Sequence, residues 1–312
     1  MNLPFSRGTR IGIFTVIATT FWSATGLKAA SPGLEKLAEA AAPQSSFSLT
    51  PGVDYLAGKY GMKSKTEICI ASLTGEYTFR DWTIRAYVPY LSVKSPGGTT
   101  IIDGRPVQTL GGATQSAVLK KLGLTLAQLK ILTPQQRQTQ IDAATTNSST
   151  ETNSGIGDAE LSLDYTLYSD SATGWNVDLT GTVKFGTGKE EKGLGTGETD
   201  YRVSAEVSRS IGKFTPVVSF GYCIMGKPED SDLRNYFFGR ASAIYSPTYD
   251  TDLSLTFSAA QRSSESTGAD NELILVASHN VGKSWNVEGH VLAGLSTSAP
   301  DFGVGASARY SF

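Results

Sequence analysis

Hydrophobic and polar residues alternate with a period of two along most of the chain after residue 50. The pattern is clearest at the C-terminus, where residues 302–312 read FGVGASARYSF and end on an aromatic residue. Successive side chains of a β-strand point to opposite faces, so this stretch is predicted to be a strand with one apolar face. The same alternation recurs at 159–167, 175–185, 201–207, 253–260 and 285–293.

The apolar face of the last strand favours a membrane barrel over a soluble fold. In a soluble protein, such a strand at the terminus would be an exposed edge that promotes aggregation. A closed membrane barrel has no edge, and its lipid and lumen faces alternate in this way. Phe312, with Tyr310 two residues before it, resembles the closing strand of bacterial outer-membrane barrels. We therefore predict an all-β fold, a transmembrane antiparallel β-barrel of the outer membrane.

The alternation predicts twelve strands, an even number that places both termini on the periplasmic side. They lie at about 51–60, 65–79, 82–93, 158–169, 174–186, 197–211, 213–226, 234–247, 251–263, 269–281, 284–296 and 302–312. The connections expected on the periplasmic side are short, whereas five of the six opposite connections are long and polar. Outer-membrane barrels show this asymmetry, and a soluble sandwich has no reason to.

The longest predicted connection, 94–157, contains helical signals and is expected to be a partly helical outer loop. Residues 115–122 can form a helix that ends at Gly123, and Thr133 to Gln136 has the pattern of a helix-capping box. A loop of this length usually has a function of its own. We predict a lid that folds over or into the barrel mouth.

The N-terminus has the pattern of an export signal. Residues 1–30 combine basic Arg7 and Arg10 with a short apolar run and small residues, which is typical of a signal peptide. Residues 31–50 could be a plug helix in the lumen or a periplasmic tail, and the sequence favours neither. The barrel is then expected to occupy 51–312, and the outer membrane is the expected location.

Composition and residue spacing give no reason to propose a nucleic-acid partner, a metal site or a cofactor. Charged residues make up 18% of the chain and the net charge is −2, so nothing suggests a nucleic-acid partner. Cys69 and Cys223 are expected to be free thiols, because two arbitrary strand positions rarely lie within bridging distance. No Cys or His spacing matches a metal site, and no cofactor is implied.

The two histidines bear on a possible hydrolytic function. Lipid-acting hydrolases of the outer membrane need a Ser–His pair with an orienting group. Ser278 precedes His279, but neighbouring strand residues point to opposite faces and cannot pair directly. His290 also lacks a serine at the expected spacing. Structural or lumen-lining histidines are favoured, and an outer-membrane hydrolase stays an alternative.

The polar face of the predicted strands carries charges of both signs. On the predicted registers they face the lumen, where they could pair and fill the bore or line a path and determine what passes. The predicted lumen-lining set is Arg85, Glu160, Asp164, Asp178, Lys184, Arg202, Glu206, Glu288, His290 and Arg309.

Aromatic residues are placed as expected for the girdles of a membrane barrel. The predicted periplasmic group is Trp82, Trp175, Phe214, Trp285, Tyr310 and Phe312. The predicted outer group is Tyr236, Phe237, Phe238 and Phe302.

Two glycine-rich motifs resemble a known family. Residues 154–158, Ser-Gly-Ile-Gly-Asp, are similar to the motif that opens a strand in the MetA-pathway of phenol degradation family of outer-membrane transporters. Residues 183–188 and 193–197, followed by Asp200, are similar to its next motif, although Gly186 stands where the family commonly has Pro. The resemblance covers about 50–312 and implies transport of hydrophobic or aromatic small molecules.

Together these features predict a passive outer-membrane channel for small hydrophobic or aromatic compounds. The alternatives are the lipid-acting hydrolase and a structural or adhesion barrel with a plugged lumen. The expected partners are outer-membrane lipid, a small hydrophobic or aromatic ligand, and the barrel-assembly machinery, which would bind through Tyr310 and Phe312.

Overall fold

The computed structural model describes residues 45–312 with several gaps. The gaps are 63, 97–98, 103, 109–122, 124–127, 129–130, 134–135, 137–138, 140–149, 229–232 and 265–266. The predicted signal peptide, most of the 31–50 segment and the predicted helix at 115–122 therefore lie outside the described residues.

The described residues form fifteen β-strands and one short 3₁₀ turn at Glu190–Lys192. The strands are β1 (Ser45–Gly58), β2 (Thr66–Phe79), β3 (Trp82–Pro96), β4 (Thr99–Ile102), β5 (Arg105–Gln108), β6 (Thr150–Ile156), β7 (Ala159–Asp170), β8 (Trp175–Phe185), β9 (Asp200–Arg209), β10 (Phe214–Ile224), β11 (Tyr236–Tyr245), β12 (Thr251–Ala260), β13 (Asp270–Val281), β14 (Trp285–Gly294) and β15 (Phe302–Ser311). Among these residues, no helix is long and apolar enough to cross a membrane.

All strands except β4 and β5 join in one closed antiparallel barrel. β1 pairs with β2 on one side and with β15 on the other, so the two ends of the sheet meet. β3 pairs with β7 along its first half and with β6 along its second half. β6 and β7 thus act in succession as one wall strand, and the predicted twelve-stranded barrel is confirmed.

The last strand lies where the sequence predicts. Tyr310 is opposite Leu49 of β1 and opposite Trp285 of β14. The Phe312 amide donates to the Phe47 carbonyl at 3.0 Å, and the two rings lie 5.4 Å apart. The C-terminal aromatics therefore close the barrel against both neighbouring strands.

The outer surface of the barrel is apolar and the inner surface is mainly polar. Val53, Val218 and Leu255 are about half exposed or more on the outside. Inward positions alternate with them and are buried. A closed barrel with an apolar exterior is suited to span a lipid bilayer.

The aromatic residues follow the girdle prediction only in part. Trp82, Trp175 and Trp285 are exposed on the outer surface at the periplasmic ends of their strands. Tyr236 and Phe238, which we placed in the outer girdle, instead point inward and are 2% and 5% exposed. Residues 236–238 are all aromatic, so the sequence does not show which of them point inward. Phe237 points outward between the two inward residues.

Two predicted boundaries differ from those of the structure: the start of the barrel and the start of the long outer loop. β1 begins at Ser45, so the last residues of the 31–50 segment belong to the barrel wall. The outer loop is shorter than 94–157, because β3 runs to Pro96 and pairs with β6. The described start of this loop is a hairpin of β4 and β5, and its described residues 128, 131, 136 and 139 are helical.

Other local predictions are confirmed. The amide of Gln136 donates to Thr133 Oγ1 at 3.3 Å, and the amide of Thr133 donates to Gln136 Oε1 at 3.0 Å, which is the reciprocal pattern of a capping box. Cys69 is exposed and Cys223 is buried, and the two are not joined by a disulfide.

The assignment of the outer surface to lipid can be tested at Val218, which is 60% exposed in the middle of β10. We expect Val218→Arg to lower the free energy of unfolding in lipid vesicles by about 2–4 kcal/mol, because the charge enters the hydrocarbon. Val218→Ile is the control and should be close to neutral. A change within ~0.5 kcal/mol for the arginine variant, as at a water-exposed surface, would contradict the assignment.

Candidate functional site

The β4–β5 hairpin folds into the outer mouth of the barrel and crosses it. On one side, the Ile101 amide donates to the Gly193 carbonyl in the β8–β9 connection at 2.8 Å. At the tip of the hairpin, Arg105 forms an ion pair with Asp270, the first residue of β13. β3, from which the hairpin emerges, is separated from β13 by β2, β1, β15 and β14. The hairpin is thus held at two distant points of the wall.

Apolar side chains surround the hairpin and form what we call the apolar layer. Ile101 belongs to one buried cluster and Ile102 and Val107 to a second, so the hairpin packs on both of its faces. On the wall and outer loops, the layer comprises Leu56, Ile68, Ile70, Leu91, Val93, Leu194, Ile274, Leu292, Cys223, Met225, Leu233, Tyr236, Phe238 and Ala260. The first cluster continues toward the periplasmic side through Val217, Ile244 and Val276.

The two motifs that carry the family resemblance meet at the edge of this layer. Asp158 accepts a hydrogen bond from Lys184 Nζ at 2.6 Å and another from the Gly188 amide at 2.9 Å. Lys184 also lies 3.1 Å from Asp200. A side chain at Gly195 would place its Cβ 2.4 Å from the Asp158 carboxylate. The glycines therefore let the β8–β9 connection wrap around a buried ion-pair cluster, which brings Gly193 to the hairpin.

A charged layer fills the bore on the periplasmic side of the apolar layer. Arg85 lies 3.0 Å from both Glu76 and Asp164. Glu206 pairs with Arg240. Glu160 pairs with Arg202 nearer the outer mouth, where Arg202 is opposite Cys223 of the apolar layer. These side chains are nearly or fully buried, so in this conformation they occupy the bore instead of lining a water-filled channel.

All ten residues of the predicted lumen set are buried on the inner face of the barrel. Arg85 with Asp164, and Glu160 with Arg202, pair within the set. The remaining residues pair mainly outside it: Lys184 with Asp158 and Asp200, Glu206 with Arg240, His290 with Asp54, and Asp178 with Thr166 and Asn176, while Glu288 and Arg309 lie diagonally on neighbouring strands.

Besides Asp158 and Asp200, which belong to the glycine-rich motifs, the predicted set lacks three charged partners of this network, Asp54, Glu76 and Arg240. They lie on β1, β2 and β11, the strands whose alternation is least regular. The only signal available for them is the register: Glu76 pairs with the neighbouring strand, whereas Asp54 and Arg240 each reach a partner across one intervening strand. Glu76 is opposite Arg85, for example, so a correct β2–β3 register would have found it.

His290 and Asp54 face each other across the closing strand. His290 Nε2 lies 3.2 Å from Asp54 Oδ1, and both side chains are almost fully buried. Gly305 lies between them, and a Cβ there would be 2.2 Å from Asp54 Oδ1 and 2.3 Å from His290 Cε1. The glycine is therefore required for this contact.

The placement of the histidines gives no support to a hydrolase. Ser278 is buried on the inner face, whereas His279 is exposed and its Nδ1 lies 2.9 Å from Thr251 Oγ1. Within the described part of the chain, His290 has an acidic neighbour but no serine hydrogen-bonded to it. No group of three or more His, Cys, Asp or Glu side chains among these residues is arranged to hold a metal ion.

Comparison with known proteins identifies a likeness in fold. A scan of protein-family models and a search of curated proteins both return no match. Among solved structures, the chain is similar to the COG4313 outer membrane channel from Pseudomonas putida F1, with a TM-score of 0.60 and 12% sequence identity. The match covers 87% of this chain and 97% of that one.

Two further solved structures are more distant. The TodX deltaS2S3 mutant monoaromatic hydrocarbon channel has a TM-score of 0.46 and 11% identity, over 86% of this chain and 91% of that one. The KdgM porin has a TM-score of 0.45 and 8% identity, over 85% and 99%. Both TM-scores are too low to support an argument about this chain. The closed barrel, its apolar exterior and the fold likeness to the COG4313 channel together define an outer-membrane β-barrel.

The position of Gly305 between Asp54 and His290 predicts that two glycine-to-alanine substitutions change the free energy of unfolding differently. Gly305→Ala should destabilise the barrel by about 1–3 kcal/mol, because the methyl group overlaps both Asp54 and His290. Gly289→Ala is the matched control on β14, where the nearest atom would be 3.9 Å from the Cβ. We expect the control to be neutral or to stabilise by ~0.4–1 kcal/mol. Equal unfolding free energies for both variants would refute the close approach.

If the ion-pair cluster around Lys184 holds the hairpin in place, its disruption should make Ile101 accessible to reagents in water. Ile101, which is 4% exposed, can be changed to cysteine in a variant without Cys69 and Cys223 and labelled with a polar maleimide. Lys184→Met leaves the Asp158 and Asp200 carboxylates without their shared cation and should raise the labelling rate at position 101 at least about tenfold. Lys192→Met, in the same connection, is the control. If both variants label at the original rate, the cluster does not hold the hairpin.

Proposed function

We propose that the protein is a passive outer-membrane channel for small hydrophobic or aromatic compounds. The single observation that carries the proposal is the apolar layer inside the outer mouth. An ordinary water-filled pore has a polar interior, whereas here Leu56, Ile68 and Leu292 face inward around an inserted hairpin.

The hairpin supports this function because its side chains occupy the place that a ligand would take. Ile101, Ile102 and Val107 are buried among wall residues and protected from water. An apolar solute that displaces them regains a similar contact. Burial of an aromatic ring is worth roughly 4–6 kcal/mol before the loss of motional freedom is subtracted.

The charged layer makes a direct route to the periplasm unfavourable for such a solute. An apolar molecule there would have to break the Arg85–Asp164 and Glu206–Arg240 pairs and leave charges unpaired, at a cost of about 3–5 kcal/mol for each pair. The predicted lumen residues would then act as a barrier that excludes solutes from this route, and not as a passage for them.

We place a sideways route where the wall is irregular; the Gly157 amide donates to the Pro89 carbonyl at 3.0 Å there, so the passage of a solute requires this hydrogen bond to open. The β3–β7 pairing ends at Tyr87 and the β3–β6 pairing starts at Tyr90, so Val88 and Pro89 face an extra residue on the opposite strand. This is a β-bulge. Leu91 of the apolar layer reaches it, since a Cβ at Gly157 would lie 2.8 Å from Leu91 Cδ1. The proposed route runs from the apolar layer past Gly157 into the membrane lipid.

The fold likeness and the motifs agree with this function. The COG4313 structure is described as an outer membrane channel, and the motifs at 154–158 and 183–200 suggest membership of the MetA-pathway of phenol degradation family. Lipid would be the partner that receives the solute. The assembly machinery, acting on Tyr310 and Phe312, would be a partner only during insertion.

Uptake measurements test the function. Expression in a Gram-negative host should raise the initial uptake of ethylbenzene several-fold over a host that carries the empty vector. Gly157→Val, whose Cβ would overlap Leu91 Cδ1 at 2.8 Å and displace the Leu91 side chain, should remove most of this increase. Gly181→Val is the matched control, because a Cβ at Gly181 would have no atom within 4 Å.

Two results would contradict the proposal. If folded protein is present in the outer membrane and uptake equals that of the empty-vector host, the channel function is wrong. If uptake rises but Gly157→Val and Gly181→Val behave alike, the channel function stands and the sideways route is wrong.

A further inference from the structure

Tyr60 has an unusual backbone conformation at the outer mouth. Residues 59–62 form a tight turn in which the Met62 amide donates to the Lys59 carbonyl at 2.8 Å. Tyr60 has φ +52° and Gly61 has φ +79°, as in a type I′ turn. Glycine or asparagine is preferred in this turn, and a bulky residue at positive φ is uncommon. Such outliers often mark functional positions.

The side chain of Tyr60 is buried, with no hydrogen-bond partner among the described residues. Arg80 is the other non-glycine residue of the described chain with positive φ, but its side chain is exposed. Tyr60 is 5% exposed and its hydroxyl is unpaired within the described part of the chain, as is Oγ1 of the fully buried Thr66. Buried hydroxyl groups are nearly always paired. The hydroxyls of Ser72 and Ser254 are also unpaired among the described residues, but Tyr60 and Thr66 are the two at the outer mouth.

Thr66 borders the apolar layer, and Tyr60 lies near Arg105 of the hairpin. Thr66 is the inward residue next to Ile68 on β2, and its cross-strand partner is Gly58, two residues before Tyr60. Leu56 and Ile68 form the next inward pair below. A molecule with an apolar body in this layer could therefore direct a polar group toward Tyr60 and Thr66 at its outer end.

The charges around Tyr60 restrict the kind of head group. Burial raises the pKa of the Tyr60 hydroxyl, and nearby Glu272 raises it further, so the group stays neutral and can both donate and accept. Asp270 and Asp301 also act on it, and Arg105 opposes them. Acidic residues outnumber the one arginine, which disfavours an anionic head group such as a carboxylate. A neutral hydroxyl suits the site best.

We propose that Tyr60 and Thr66 form a polar subsite of the apolar layer that binds the hydroxyl group of a small, neutral, monohydroxylated apolar compound. The inference deepens the proposed channel function and rests on the apolar layer as the place where solute binds. Sites built to bond a hydroxyl discriminate against an analogue that lacks it, because their own polar groups are then left unpaired.

The test compares benzyl alcohol with ethylbenzene, which has a methyl group in place of the hydroxyl. Binding to the full-length protein in lipid nanodiscs is measured by calorimetry for the wild type, Tyr60→Phe, Thr66→Val and the control Tyr90→Phe. Tyr90 is a lipid-facing tyrosine that is 51% exposed. Tyr60→Phe should weaken benzyl alcohol binding about three- to tenfold and leave ethylbenzene binding unchanged. Thr66→Val should act in the same direction, and the control should have no effect.

The outcomes separate this proposal from the channel function. If neither variant changes the ratio of benzyl alcohol to ethylbenzene affinity, the subsite is wrong, whatever the uptake result. If the ratio depends on Tyr60 but uptake equals that of the empty-vector host, the subsite stands and the channel function is wrong. If the wild type binds neither probe, both proposals are wrong. Thr66→Val provides an independent answer if Tyr60→Phe does not fold.

Discussion

Closure of the β-sheet is the constraint on which the rest of the molecule depends. Inside a bilayer every backbone amide and carbonyl must find a partner within the protein. The pairing of β1 with β15 removes the two open edges that the sheet would otherwise have. Once the strand number is set, the width of the bore is set as well, and every second residue is forced into a confined space.

The interior follows from this confinement. Charged side chains on facing strands cannot remain hydrated, so they pair, as Arg85 does with Glu76 and Asp164. Glycines appear where two polar groups must approach across a third strand, as at Gly305 between Asp54 and His290. Towards the outer mouth, aliphatic inward residues and the hairpin fill the bore beside the Lys184 cluster and the Arg105–Asp270 pair. The change from apolar to charged along one bore is what directs the proposed route sideways.

Much of the barrel could be predicted from sequence because the alternation of β-strands is a local signal. Where it is regular, as in β7 to β9 and β13 to β15, the strands were predicted correctly, although the predicted lumen set lacks the buried residues Asp200, Asp270 and Glu272. Where it is blurred, in β1, β2 and β11, Asp54, Glu76 and Arg240 were missed and Tyr236 was assigned to the wrong face. The β6–β7 wall strand was recognised only in its second half, because the polar residues 150–154 resemble loop.

The hairpin and the subsite were beyond local patterns. Residues 99–108 are short and flanked by loop, and their position in the mouth depends on Gly193 and Asp270, which are distant in sequence. The motifs at 154–158 and 183–200 suggested a family, but only the fold shows that they converge on one ion-pair cluster. Tyr60 has no sequence signal at all, because its importance lies in a backbone angle and an unpaired hydroxyl.

The central claim is that small apolar solutes bind in the apolar layer at the outer mouth. Crystals of the protein soaked with bromobenzene would locate such a solute directly through the anomalous scattering of bromine. We expect a bromine peak among Leu56, Ile68 and Leu91, with the hairpin displaced. Bromine found only on the lipid-facing surface or within the charged layer would contradict it.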